Sequence, residues 1–330
     1  MRIRIIKPGL LSTIQDMGRS AYLSQAVPVS GAMDSLSARI ANCAIGNADD
    51  AAVIEFTYAG AELVTETDLL IAYAGDGAIL SLAVGDIPCE RPVFIPAGST
   101  IKLVNNPSGS RTYLAIAGGF DVPEILGSRS TYTRAVIGGY NGRQLQAGDV
   151  LNSIDQLSST AKNILKMLHG DYPDYPNWSL ARQLLLPTDK KAIRVVRAHE
   201  FSWFDKASTD AFLSTPYTLS LRSDRMGYLL EGTAINREVN TELLSTAVTP
   251  GTIQVTGSGS MVLLMADCQT TGGYPRIAQV ALVDMPLCGQ LKPGDAIYFY
   301  AIIRQEAEML YIEQEKKLLK LANTVNSKFL

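Results

Sequence analysis

Apolar and polar positions along the chain change over in short bursts rather than in long periodic stretches. Leu69 to Ala74, Ala78 to Val84, Thr100 to Val104 and Thr112 to Ala117 are apolar, partly β-branched runs bounded by Gly, Asp, Asn or Pro, and each predicts a strand. The opening Met1 to Pro8 alternates Arg and Lys with Ile and predicts an edge strand. One early segment switches to helical spacing. Leu36, Ile40 and Cys43 to Ala44 fall on one face, with Asp34 placed to cap the start and Gly46-Asn47 to end it.

A short helix is expected over 158–168, after which Gly170, Pro173, Pro176 and Pro187 mark irregular chain, read here as a linker over 156–189. Strand character resumes at 193–196, 217–221, 252–256, 261–266, 277–283 and 296–301, with a helix expected over 203–212. The tail, 304–330, mixes Glu and Lys with Leu310, Leu318, Leu319 and Leu321 and predicts an amphipathic helix. The pattern thus divides into a first domain over 1–155 and a second over 190–303. An internal echo supports two copies of one unit: Gln144-Leu145-Gln146-Ala147-Gly148-Asp149 matches Gln290-Leu291-Lys292-Pro293-Gly294-Asp295, each ahead of an apolar run. Short strands at this spacing predict a mainly β protein with a few helices, built as barrels or sandwiches.

Composition narrows the function classes. The 330 residues suffice for two self-sufficient cores, and 47% hydrophobic with 18% charged residues excludes disorder. Lys plus Arg number 29 against 32 Asp plus Glu, without any run of one sign, which argues against nucleic acid or an anionic membrane as partner. No stretch is apolar for the length a membrane span needs, and no signal peptide is visible. Cys43, Cys89, Cys268 and Cys288 are scattered without a CxxC pair, which suits reduced thiols and a cytoplasmic location. His169 and His199 are the only histidines, so no metal site is expected. Walker A, GxGxxG and a GxSxG elbow do not occur, so neither a phosphate loop nor a hydrolytic triad is predicted.

Three polar, glycine-broken segments stand out. In Ala266 to Ala278, Asp267, Gln269, Thr270 and Thr271 lead from a strand into Gly272-Gly273-Tyr274, with Arg276 beyond; such a turn can bind an anion or an amide, or can be a hairpin that only caps itself. Gln15 to Arg19 and Val27 to Asp34 place Ser30, Gly31 and Met33 before the helix start, where unpaired N–H groups favour a carboxylate together with Arg19, or where Gly31 simply relieves a loop. Ala117-Gly118-Gly119 with Leu126 to Thr131 brings Arg129 and Ser130, and Ser223 to Tyr228 brings Arg225 as its counterpart in the second half.

Taken in order, GLLSTIQDMGR at 9–19, VPVSGAMD at 27–34, YLAIAGGF at 113–120, LGSRST at 126–131, SDRMGY at 223–228 and ADCQTTGGYPRIA at 266–278 resemble the family of allophanate hydrolase subunit 2 and the C-type subunit of 5-oxoprolinase, over about Met1 to Ala301. The resemblance implies two tandem cyclophilin-like β-barrel domains. It also implies a partner of the allophanate hydrolase subunit 1 type, which is the B-type partner in 5-oxoprolinase, and an A-type partner protein of the same system. The activity implied is ATP-dependent opening of the lactam of 5-oxoproline to glutamate by the complex. Two alternatives stay open: the carboxyltransferase component of a biotin-dependent urea or allophanate system, with biotin carried on another chain, and a regulator-binding module without catalysis, of the kinase-inhibitor antagonist kind. Under the first reading Asp267, Gln269, Thr270, Arg276 and Asp34 are the catalytic candidates. Gln15, Arg19, Ser30, Gly31, Met33, Arg129, Ser130, Arg225, Thr271, Gly272, Gly273 and Tyr274 are the substrate-binding candidates, the arginines because a guanidinium offers a planar fork of donors.

Overall fold

Strands dominate, as the alternating pattern predicts. The computed structural model describes residues 1–106, 108–239 and 241–329; positions 107, 240 and 330, which fall within the expected first domain, second domain and terminal helix, lie outside them. The chain forms two units.

The first unit holds Met1–Gly18, Asp34–Leu185 and the chain from Lys316 onward. Its strands are β1 (Arg2–Pro8), β2 (Leu11–Gln15), β3 (Val53–Thr57), β4 (Ala61–Thr65), β5 (Leu69–Gly75), β6 (Ala78–Leu82), β7 (Gly85–Asp86), β8 (Val93–Ile95), β9 (Thr100–Asn105), β10 (Arg111–Ile116) and β11 (Val150–Asn152). They make a six-stranded sheet in the order β11-β1-β4-β9-β6-β7 and a five-stranded sheet in the order β2-β3-β10-β5-β8. Ile3, Ile5, Leu80 and Ile101 from the first sheet meet Ile14, Ile54, Ile71 and Leu114 from the second in one core. The helix α1 (Ser35–Ala44) covers the other face of β5 and β10, which is why every residue of both strands is buried and why they read as unbroken apolar runs. Gly46 ends that helix at φ +70°, and a Cβ there would sit 2.6 Å from the Thr160 side chain, so glycine is required twice over.

Two features of this unit differ from expectation. β1 is not an edge: it pairs with β11 on one side and β4 on the other, and its outward Arg4 and Lys7 are matched by Glu66 and Glu62 of the β4 neighbourhood. Nor is the proline-marked stretch a free linker. After α2 (Ser159–Met167), Asp174 bridges to Phe94, the Leu180 N–H donates to the Glu90 carbonyl, and Trp178 lies 5.8 Å from the Phe329 ring. Its Arg182 is buried and donates to Glu90, Asp76 and Ser37. Prolines in this stretch remove donors and fix φ without preventing these backbone and side-chain bonds, which composition alone does not register.

The second unit holds Arg19–Met33 and Leu186–Glu315. Its strands are β12 (Ala192–Arg197), β13 (Tyr217–Leu219), β14 (Gly227–Glu231), β15 (Thr246–Ala247), β16 (Thr252–Val255), β17 (Met261–Leu264), β18 (Thr271–Gly272), β19 (Arg276–Val280) and β20 (Ala296–Ala301). Seven close a barrel in the order β12-β19-β16-β17-β14-β13-β20, sealed by the parallel pair β12 and β20, while β15 and β18 form a separate ribbon. Closure leaves the barrel no open edge. Ile193, Phe212, Tyr217, Ile253, Leu263 and Phe299 fill the core, with Phe212 stacked on Phe299 at 4.7 Å. Met33 joins that core, so Arg19–Met33 belongs with the second unit although 1–155 reads as one domain in sequence.

Asp205 caps α3 (Lys206–Ser214), two to three residues later than the expected start. β19 ends at Val280, and Pro286 lies in the first turn of the helix α4 (Met285–Gln290) that follows. The last helix, α5 (Arg304–Lys328), runs where the charged tail predicts it. Among the described residues, no helix is long and apolar enough to cross a membrane.

The internal echo is structural. In each copy the glycine adopts φ +91° and the following aspartate folds its carboxylate back onto the N–H three residues earlier, Asp149 to Gln146 at 2.7 Å and Asp295 to Lys292 at 2.8 Å. In each copy, too, the glycine N–H and aspartate carbonyl bond the same residue of a neighbouring strand, Ile5 in one case and Leu219 in the other.

Candidate functional site

In the first unit the QDMG and LGSRST motifs meet on one carboxylate. Asp16, buried just after β2, accepts from Ser128 Oγ at 2.6 Å, from Gly18 N at 2.8 Å, and from Ser130 Oγ and Arg129 N. Its own N–H donates to Ser130 Oγ at 2.9 Å. Gln15 is fully buried beside it and donates through Nε2 to Thr13 and to the Thr131 carbonyl. The predicted residues Gln15, Arg129 and Ser130 are therefore brought together, by a residue absent from the candidates named above. A short acidic side chain flanked by glycine and answered by a Ser-x-Ser loop is the signal that points to it.

Asp34 caps α1 through Ser37 N at 2.9 Å and Ser37 Oγ, and its N–H donates to the Tyr113 hydroxyl, which in turn donates to Glu55. Arg182 approaches the Asp34 carboxylate at 3.9 Å. The helix start that would attract a substrate carboxylate is thus already supplied with a carboxylate of its own, completely buried. Burial, then Glu55 and Asp34, push the Tyr113 phenol well above its ordinary pKa, which keeps it a neutral donor.

In the second unit the Arg225 guanidinium forks onto Asp267, Nε to Oδ2 at 2.8 Å and Nη2 to Oδ1 at 3.1 Å, and Nη2 also donates to the Gly31 carbonyl at 2.7 Å. Both side chains are buried, so this is a dry, charge-assisted clamp on the loop before α1. That loop is tightly turned, with φ +55° at Ser30 and +88° at Gly31. Ser30 Oγ is buried and has no hydrogen-bond partner among the described residues. Arg19 is buried at its base, its N–H donating to the Val29 carbonyl.

The ADCQTTGGYPR segment turns from Asp267 into the β15–β18 ribbon. The reason for glycine at 272 is a neighbour rather than a ligand: a Cβ there would lie 2.5 Å from Nε2 of the buried Gln254. Gln254 donates to the Tyr274 carbonyl at 3.2 Å, and Gln269 Nε2 lies 3.5 Å from Gln254 Oε1. Gly273 packs near the Leu243 carbonyl, Thr270 is buried with its carbonyl on Val248 N, and Thr271 and Tyr274 are exposed. Arg276 is not a free cation for a substrate. Glu200 takes Nε and Nη2 at 2.7 Å each, and the Ala247 carbonyl lies 3.3 Å from Nη1. The hydrogen bonds from Arg276, outweighing burial, hold Glu200 below the usual carboxylate range.

Cys268, inside this segment, is inert by environment. Burial first and Asp267 second push its thiol to about 12, and burial raises Cys43 to about 12 as well. Titration of the native protein with a thiol reagent is expected to modify Cys89, the exposed cysteine, and the other three only after denaturation. Labelling of Cys268 at the rate of Cys89 would contradict the burial described. Among the described residues, no three His, Cys, Asp or Glu side chains gather as a metal site.

A two-unit, mainly β chain with these six motifs defines a class. Residues 25–301 match the model of the carboxyltransferase domain, subdomain A and B, and the chain belongs to that family. It is 35% identical to the C-type subunit of 5-oxoprolinase from Escherichia coli K12 over 97% of both chains, and 34% identical to that of Haemophilus influenzae over 96% of both. Among solved structures it matches the Kluyveromyces lactis urea amidolyase with a TM-score of 0.85 at 30% identity, covering 97% of this chain and 20% of that one.

Proposed function

We propose that the chain is the C-type subunit of an ATP-dependent 5-oxoprolinase, which with B-type and A-type partner proteins in the cytoplasm opens the lactam of 5-oxo-L-proline to L-glutamate. The observation that carries this reading is the 35% identity with the Escherichia coli 5-oxoprolinase chain over 97% of both. The chemistry has a physical demand: a lactam amide is resonance-stabilised, and coupling to ATP supplies the driving force that water alone lacks. The nucleotide is assigned to the complex, with no residue of this chain given to it.

This chain's contribution is recognition and positioning. Gln269, backed by Gln254, offers an amide to the lactam amide, with the Thr270 and Thr271 hydroxyls and the Gly272 and Gly273 amides beside it. Arg19, in the same unit as Gln269, is the candidate for the carboxylate. Asp267 acts through Arg225, by fixing the Ser30–Gly31 loop, and Arg276 acts through Glu200, by fixing the ribbon that carries Gly272. Asp34 acts through α1, whose start it caps.

The test is reconstitution. The chain co-expressed with its B-type and A-type partners is expected to hydrolyse ATP and release glutamate only when 5-oxoproline is present, and Gln269→Ala is expected to reduce turnover at least about tenfold. The likeness to a urea amidolyase favours a second reading, carboxyl transfer to a urea-type amide with biotin on another chain. Urea-dependent turnover without 5-oxoproline-dependent turnover would decide for it. Partner binding with neither activity would leave a regulator-binding module.

A further inference from the structure

The first unit contains a cavity of about 240 Å³, lined by Asn47, Asp50, Gly118, Gly119, Arg129 and Ser158 among others. It is smaller than the roughly 300–1,000 Å³ of sites for drug-sized ligands. Its charged lining consists of one cation and one anion, Arg129 and Asp50, and the rest is glycine, alanine, Ile154, Asn47, Gln156 and Ser158.

The wall is rigid. Asn47 is committed on both ends, its amide donating to Asn42 and the Ile116 carbonyl and its oxygen accepting from Gly118 N. Gly118 and Gly119 adopt φ +91° and +75°, and a Cβ on Gly118 would lie 2.4 Å from the Ile154 carbonyl, so this face stays bare backbone.

Arg129 is held in place from behind. Asp16 accepts its N–H, and Gly139 N donates to its carbonyl at 2.9 Å. Its Nε is buried and lacks a hydrogen-bond partner among the described residues, and its Nη1 lies 3.2 Å from Glu124, a half-exposed carboxylate that can turn to water. The backbone of Arg129 is thus anchored, and its partly exposed guanidinium, paired among the described residues with the exposed Glu124, keeps Nη donors that a carboxylate in the cavity can take. Asp50 is exposed and has no ion-pair partner among the described residues, which suits an ammonium group. A plain anion would meet Asp50 and a plain cation would meet Arg129, so the lining favours a ligand carrying both charges.

We propose that this cavity binds a small free α-amino acid, its carboxylate on Arg129 and its ammonium on Asp50. The proposal does not rest on the 5-oxoprolinase reading, because it concerns binding by the chain alone.

Isothermal titration of the purified full chain with glycine, L-glutamate and L-glutamine tests it, with acetate, inorganic phosphate and methylamine as single-charge probes. At least one amino acid is expected to bind more tightly than any single-charge probe. Asp50→Asn and Arg129→Gln are each expected to weaken that binding at least about tenfold, and Glu124→Gln to leave it equal or tighter. Asp50 is exposed, so its variant folds whatever Arg129→Gln does; a thermal melt of each variant checks the latter. Binding of phosphate or acetate as tight as that of the amino acids, amino-acid binding that Asp50→Asn leaves unchanged, or no heat from any amino acid at about 10 mM each overturns the assignment.

Discussion

Arg225→Ala is expected to cost the second unit about 3–5 kcal/mol, because it leaves the buried Asp267 carboxylate without its partner and the Gly31 carbonyl without its donor. Urea unfolding gives the loss, and amide exchange localises it to the loop around Ser30 and the segment after Asp267. Removing both charges at once, Arg225→Leu with Asp267→Leu, is expected to be milder than Arg225→Ala alone, since no unpaired charge then remains in the interior. A loss below about 1 kcal/mol in the single variant would show that the clamp is not dry. In the reconstituted complex the same variant is expected to lower turnover through the displaced loop, and the paired apolar variant separates that effect from stability.

The second large effect is in the first unit. Arg182 bonds Glu90 at 2.8 Å and Asp76, and faces Asp34 at 3.9 Å, so one side chain satisfies three carboxylates around the start of α1. Burial disfavours its charge, yet Asp34, Asp76 and Glu90 together hold its pKa above the ordinary guanidinium value. Arg182→Ala is expected to cost about 3–5 kcal/mol and to expose the chain around 174–185 to proteolysis. Arg182→Lys is expected not to restore protection, because a point charge cannot reproduce a fork shared among several oxygens. Full protection in the lysine variant would sink this account.

What the sequence makes legible follows from the range of each interaction. α1, β20 and the two QLxxGD turns are legible because cap, period and turn chemistry act within a few residues, and Asp34, Asp149 and Asp295 each bond within three positions of themselves. The family is legible from short motifs; that Gln15, Arg129 and Ser130 meet around Asp16 is not. Roles are not. Arg225 and Gly31 are 194 residues apart, and Arg276 and Glu200 are 76 apart, and nothing local marks which arginine already has a carboxylate. Hence the sequence presents Arg276 and Asp267 as polar groups without showing that Glu200 and Arg225 pair with them. Glu200, Gln254 and Arg182 escape a sequence reading for the same reason: each acts on a distant segment. β1 reads as an edge because its alternating Arg, Lys and Ile give no hint that Glu62 and Glu66 cover the charges.

The assignment of Arg19–Met33 to the second unit has a consequence for how the chain can be divided. The polypeptide passes from one unit to the other at Gly18/Arg19, Met33/Asp34, Leu185/Leu186 and Glu315/Lys316. No single cut frees either half, and a gene fragment encoding 190–303 alone would lack Met33, a piece of its own interior. The match to the Kluyveromyces lactis protein likewise takes the block nearly whole, covering 97% of this chain but only 20% of the longer polypeptide.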